Sequence, residues 1–496
     1  MENRRAADKA VLLVLCWMLS FAAMSISLYD KTWFSFFMQV FVPVMLIFGY
    51  LSLWPIPRAF GKGPLWIAAA VFAAAATVGA SFEHTGTAAL VTGQIWKALI
   101  YFLGRLTAFY MGMVLALEVM IKGRPPHRRY PAGLYALFVL LCWLPYLVAL
   151  WPGSVSAGAA LQMQELSGAL APGTQEPLLQ TGLIGLALWI GQGVFGSTDA
   201  AVALFCVVQA LLMAWLIGRA VVLIAGGGAP KWLILASLFF FALCPVFPLY
   251  AFAVSADTSF ALAALWLMTV AWRAVSGRIP TRRDGISLSV SAVLCALFSN
   301  FGLWVALGTL AALLVWSLLR RGEWRWSALY ALACAAGAWI VVQGALLPHL
   351  ALASGVRAGT SLAAGRETAA LHYGYLMPGF VSRVSPTFIW GADGVLTQSA
   401  AAVSTVFARL LTYAPFRILA SPGLYGWIAL FALAVVLSRK RWDALVYLAV
   451  PLWTLAGCLF ADVNGAMGYA LPICLAAPVL LAAAARALRL QPQPAL

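Results

Sequence analysis

The chain has 496 residues, of which 64% are hydrophobic and only 9% charged, and its formal net charge is +16. An ordinary soluble domain carries about 25% charged residues. Too little charge is present to cover a water-facing surface of this size, which excludes a soluble enzyme, a disordered chain and a nucleic-acid-binding domain. What remains is a polytopic membrane protein with spans of about 20 residues.

The positive charge clusters in short loops between apolar runs, as the positive-inside rule requires. The first apolar run, 11–29, follows Arg4, Arg5 and Lys9. It is read as a retained span with its leading end inside, not as a cleaved signal peptide, because a short loop and a second span follow. Spans at about 34–55, 64–82 and 98–121 complete an N-terminal four-helix membrane segment, 1–129. Its inner loops hold Arg58, Lys62, Lys122, Arg124, Arg128 and Arg129. A fifth span, 132–151, opens a core region, 130–347, and ends outside at Trp151-Pro152-Gly153.

The apolar stretch 177–195 is ambiguous. A crossing there would put Arg282, Arg283, Arg320, Arg321, Arg439, Lys440 and Arg441 on the outer side. Keeping 152–198 on the outer face removes the conflict, with 177–195 lying in the interface or dipping in and returning. Further spans fall at about 199–223, 232–253, 259–276, 285–300, 302–319, 327–347, 422–438, 443–460 and 468–486. The expectation is an all-α polytopic protein of about fourteen transmembrane helices in the cell (plasma) membrane, with both termini cytoplasmic. Two large loops face outward, 152–198 and 348–421. The second carries an amphipathic helix over 404–419, with Arg409 and Arg417 at helical spacing. A three-helix segment, 422–496, follows.

No duplication relates the two halves. Gly226-Gly227-Gly228 is no phosphate cradle, because no GK[ST] follows. The eight cysteines lie in apolar runs without a CxxC pair and read as small buried hydrophobes.

Acidic residues hardly set topology, so the acids expected outside need another reason. Asp257, in Ser255-Ala256-Asp257-Thr258, sits at a tight turn between two apolar spans. There a carboxylate can bind a cation or take a proton from an acceptor hydroxyl, or simply cap a helix. Glu176 precedes Pro177 and also suits the first turn of a helix. Glu165 lies on a surface helix. Ser299 and Asn300, in Ser299-Asn300-Phe301-Gly302, mark another outer turn and can hydrogen-bond a sugar or a phosphate. Arg357, Arg366 and Arg383 are outer cations suited to a phosphate. His349 and His372 have no partner at metal-ligand spacing. No cofactor is specified; a divalent cation on one of the carboxylates is the candidate.

From Trp151 onward the chain resembles an uncharacterised bacterial family of multi-pass membrane proteins with GT-C glycosyltransferase-like organisation. Four islands over about 130–320 carry the resemblance. They are Trp151-Pro152-Gly153-Ser154-Val155-Ser156, Glu176-Pro177-Leu178-Leu179-Gln180-Thr181, Pro245-Val246-Phe247-Pro248 through Asp257-Thr258, and Ser299-Asn300-Phe301-Gly302. Asp257, Asn300 and Gly302 match the family pattern. Gly158 stands where that pattern has an Asp, Glu176 and Gln180 where it has His, Ala256 where it has Lys, and Ser299 where it has Arg.

The resemblance implies an enzyme using a polyprenyl-phosphate-linked saccharide at the outer membrane face in envelope glycan assembly. Asp257, Glu176 and Glu165 would be its catalytic carboxylates, and Ser299, Asn300, Arg357, Arg366 and Arg383 its substrate contacts. The lost polar positions leave two alternatives open: a catalytically inactive GT-C-like scaffold among envelope-assembly proteins, and a transporter or flippase of lipid-linked glycans. Membrane lipids are partners in every reading, and nucleic acid in none.

Overall fold

In lipid, an apolar chain satisfies its backbone within one segment only by forming helices. The computed structural model describes residues 62–85, 87–122, 124, 130–168, 176–277, 279–299, 301–320, 322–346, 373–376, 398–412, 414–461 and 464–489, with isolated positions 14, 17 and 18. Among the described residues ten helices are long and apolar enough to cross a membrane, and the protein is a helical, membrane-embedded, multi-pass chain. Two more apolar helices, Lys231–Leu243 and Pro422–Ser438, are shorter. The expected spans at 11–29 and 34–55 lie outside the described residues.

In chain order the helices are α1 (Lys62–Thr85), α2 (Ile95–Lys122) and α3 (Ala132–Ala149). The two-residue strand β1 (Ser154–Val155) leads into α4 (Ala157–Leu166), α5 (Leu178–Phe195) and α6 (Thr198–Gly226). Next come α7 (Lys231–Leu243), α8 (Val246–Ala251), strand β2 (Ala253–Val254) and α9 (Ala256–Val275). They are followed by α10 (Arg282–Phe298), α11 (Gly302–Leu319), α12 (Trp324–Ile340), α13 (Gln398–Leu411) and α14 (Ala414–Leu419). The last are α15 (Pro422–Ser438), α16 (Leu445–Leu459) and α17 (Met467–Arg489).

Two expectations are revised and one gains detail. The span at 232–253 is not one helix. It stops at Leu243, because Pro245 and Pro248 withhold backbone donors, and the chain restarts as α8 and β2. The stretch 177–195, expected to lie in the interface or to dip in and return, is one continuous helix of 18 residues, ended by Gly196 at φ 65°. Its first turn is tied to the start of α9, through Gln180 and Ser259. The amphipathic helix expected at 404–419 is two helices, α13 and α14, split before Pro415.

Helices α9 and α17 form the centre and are buried along nearly their whole length. Small residues make this feasible: Ala482, Ala483, Ala484 and Ala485 are fully buried and let neighbouring helices approach closely.

The two ends of the bundle differ in charge. At one end α17 finishes with Arg486 donating to Ser276 Oγ at 3.1 Å and Arg489 donating to the Gly228 and Met120 carbonyls at 2.6 and 3.2 Å. Arg439 donates to the Leu488 carbonyl at 3.0 Å, and Arg273 pairs with Asp284 at 3.2 Å. Helix α9 leaves from the opposite, acidic end, beginning at Ala256, and α17 leaves beside it at Met467.

Candidate functional site

The acidic end is built by a parallel two-strand pairing. Ser154 lies opposite Ala253 and Val155 opposite Val254. Ser154 N–H donates to the Phe252 carbonyl at 2.9 Å and Ser156 N–H to the Val254 carbonyl at 3.1 Å. Gly153, at φ 140°, makes the turn before β1, and a β-carbon there would stand 2.6 Å from Cys206 Sγ. Each strand runs directly into a helix capped by serine. Ser156 Oγ accepts from Ala159 N–H at 3.2 Å, and Ser255 Oγ accepts from Asp257 N–H at 3.2 Å. Asp257 is therefore not the cap of α9, and its carboxylate is left for another role.

That carboxylate rests on the first turn of α17. A β-carbon on Gly468 would collide with Asp257 Oδ2 and stand 2.9 Å from its Cγ. Glu176 makes the same arrangement with α4: a β-carbon on Gly158 would collide with Glu176 Oε1 and stand 2.7 Å from its Cδ. A helix N-terminus carries about half a positive charge. Two glycines thus let two carboxylates settle against positive helix ends, and the carboxylates lie within electrostatic reach of each other. Burial pushes the Glu176 carboxyl above its usual range, and the charge of Glu165 adds to the effect.

Buried amides fix the surrounding frame. Gln180, one turn after Glu176 and fully buried, accepts from Ser259 Oγ at 2.9 Å. Gln162 on α4 donates to Thr181 Oγ1 at 2.9 Å. Gln209 on α6 donates to the carbonyls of Tyr250, Ala251 and Ala253 at 3.0, 3.1 and 2.8 Å.

The polar stretch 348–421 contributes a buried piece. Over Tyr373–Leu376 the chain forms a short helical turn. Gly374 N–H donates to Asn464 Oδ1 at 2.8 Å, Tyr375 OH accepts from Ala466 N–H at 3.2 Å, and Trp427 donates to the Leu376 carbonyl at 2.7 Å. Tyr375 and Tyr250 both lie within electrostatic reach of Asp257.

Of the residues expected at a site, Asp257 and Glu176 meet. Glu165 sits near the end of α4, half-buried, with its charge felt at Glu176. Ser299 ends α10, and its carbonyl accepts from Gly302 N–H at 3.0 Å. This turn joins the acidic end through Phe301, whose ring packs against Phe260 at 5.3 Å and Tyr469 at 6.3 Å. Asn300, Arg357, Arg366, Arg383, His349 and His372 lie outside the described residues. Among the described residues no three His, Cys, Asp or Glu side chains group closely enough to hold a metal ion, so the described donors do not fit a protein-built cation cage. Tyr375, Tyr250, Gln180, Gln209 and the seats at Gly158 and Gly468 were not singled out by sequence reasoning as parts of a site; only Gly158 left a signal, as a departure from the family pattern.

A family model described as a family of unknown function (DUF6020) matches residues 173–355. The matched stretch includes Glu176, Gln180, Gln209, Asp257 and the turn at Ser299, but neither Gly158 nor Gly468. No curated protein and no solved structure matches the chain.

Proposed function

We propose that the protein is a membrane glycosyltransferase of GT-C-like organisation, or a relative of one, using a polyprenyl-phosphate-linked sugar in envelope glycan assembly. The observation that carries this reading is the meeting of Glu176 and Asp257, from separate segments, at one end of the bundle and on two helix N-termini. The arginine-rich opposite end suits the cytoplasm under the positive-inside rule. In this reading the carboxylates face the outer side of the plasma membrane and both termini lie inside.

In this reading the acceptor hydroxyl attacks the anomeric carbon, the bond from that carbon to the phosphate oxygen breaks, and polyprenyl phosphate leaves. Glu176 takes the hydroxyl proton. Its raised pKa brings it closer to the operating pH, which favours a general base. Asp257 orients the sugar hydroxyls. Arg357, Arg366 and Arg383 would hold the departing phosphate; in the sequence they lie on either side of Tyr373–Leu376, a turn anchored near Asp257.

The test is transfer of radiolabelled sugar from a polyprenyl-phosphate donor by the purified protein, comparing wild type with Asp257→Ala and Glu176→Gln. Loss of transfer in both variants is expected. Equal activity in all three overturns the site, and no transfer by the wild type leaves the inactive-scaffold reading in its place.

A further inference from the structure

A second feature lies below the acidic end, along the side of the bundle. Helices α5, α6, α9 and α10 enclose an apolar groove of about 640 Å³. Leu186, Phe205, Leu212, Leu262 and Phe298 are among the side chains that line it. On α6 the lining runs from Leu204 to Arg219, a rise of fifteen steps or about 22 Å at 1.5 Å per residue. One leaflet of hydrocarbon is about 15 Å thick, so the groove accommodates one extended acyl chain.

The groove is polarised. Its upper part carries Ser259 and Gln209, next to the β1–β2 pairing, and its foot carries Arg219. Arg219 belongs to the basic half of the bundle. The neighbouring Gly218 packs directly on the Ala132 carbonyl at the start of α3, where a β-carbon would collide. Arg219 is half-buried and has no hydrogen-bond or ion-pair partner among the described residues. A charge at the edge of hydrocarbon is costly unless it is paired. Trp215, one turn before Arg219, also lines the groove, and tryptophan favours the headgroup level of a bilayer.

From these observations we infer that the groove is a binding site for an anionic glycerophospholipid, with one acyl chain between α5, α6, α9 and α10 and the phosphate paired with Arg219. Charge complementarity sets the direction. Among the described lining residues the one cation, Arg219, is at the foot of the groove, whereas the carboxylates Glu176 and Asp257 lie beyond its top. The site is distinct from the proposed transfer centre and does not depend on it.

Native mass spectrometry of the full-length protein tests this after incubation with phosphatidylglycerol, with phosphatidylcholine of the same chains, or with undecaprenyl phosphate. Phosphatidylglycerol is expected to be retained over phosphatidylcholine. Arg219→Gln should weaken its retention about tenfold or more, the scale of a lost charge-assisted contact to phosphate, whereas Arg219→Lys retains most of it. Val208→Trp, which fills the groove without touching the cation, should also expel the lipid, and unchanged thermal unfolding of either variant establishes that it is folded. Equal retention of both phospholipids, or unchanged retention in Arg219→Gln and Val208→Trp, overturns the proposal. So does preferential retention of undecaprenyl phosphate that is insensitive to Arg219→Gln, because the occupant would then enter from the acidic end.

Discussion

Glu176 places its carboxylate in the space that a side chain at position 158 would fill, directly over Gly158 in the first turn of α4. An acid at 158 and an acid at 176 would therefore compete for one location. The resemblance read from the sequence expects an acid at 158; the carboxylate at this place comes instead from 18 residues further on.

Gly158→Ala tests that exchange. The colliding atoms are the free end of a flexible side chain, so the fold should absorb the change with less than about 1 kcal/mol, partly offset by the better helix propensity of alanine. The carboxylate must nevertheless leave its seat. Sugar transfer is expected to fall by about tenfold or more, with the melting temperature shifted by only a few degrees. The double variant Gly158→Asp with Glu176→Ala returns a carboxylate to the same space and should recover part of the activity. No recovery in a folded double variant would show that the location of the charge is not what matters.

Asp257 over Gly468 should behave differently. Its side chain is shorter and lies between α9 and α17, the two most buried helices. Gly468→Ala is therefore expected to cost about 1–3 kcal/mol, the usual range for overpacking. The same substitution in an Asp257→Ala background has no carboxylate to displace, and its cost should nearly vanish. A double-mutant cycle read by thermal unfolding measures the difference; additive costs would mean that the two residues do not press on each other.

The raised pKa of Glu176 has a consequence for stability. The folded state holds its proton more tightly than the unfolded chain does, because burial and Glu165 both disfavour the charge. The stabilisation associated with the neutral form is complete below the ordinary glutamate range, and it is lost as the pH rises through the raised value. Glu176→Gln removes this ionisation. The variant should melt higher than wild type at pH 8, and the gap should close as the pH falls below about 4. Melting curves across that range decide it, and a gap that widens on acidification would contradict the assignment.

The helices are legible where apolar residues run for 16 or more positions between short polar or basic turns. The expected spans from 64–82 onward each coincide with a helix, apart from the break after Leu243. Pro245 and Pro248 were visible there, but continuous apolarity from 232 to 253 masked two missing donors. The β1–β2 pairing was not legible, because two-residue strands have no period to detect. Asp257 and Glu176 stood out as isolated acids in apolar surroundings. Their seats did not: Gly158 reads as a lost acid and Gly468 as an ordinary helix residue until the chain brings them beneath the carboxylates. Tyr375 was hidden for a related reason. Its surroundings, 348–421, are too polar for a span, and burial of the single turn Tyr373–Leu376 depends on partners about 50 to 90 residues further on, namely Trp427, Asn464 and Ala466.

Gln209 should be the most sensitive polar residue of the frame. One amide nitrogen serves the carbonyls of Tyr250, Ala251 and Ala253, at the point where α8 gives way to β2. The Tyr250 carbonyl also accepts from Thr258 at 3.1 Å, so the loss falls mainly on Ala251 and Ala253. A stranded buried acceptor costs about 1–3 kcal/mol. Gln209→Leu is therefore expected to destabilise by about 2–6 kcal/mol, partly offset by removal of the buried Gln209 Oε1, which accepts no hydrogen bond. Gln209→Glu should be tolerated only at low pH, where a protonated carboxyl can still donate one hydrogen bond. Hydrogen exchange over 250–257 should rise in Gln209→Leu before the rest of the bundle opens, because these bonds hold β2 against α6 and with it the start of α9. If exchange there stays at the wild-type rate in a folded variant, the strand is held by its pairing with β1 alone, and Gln209 is not what positions Asp257.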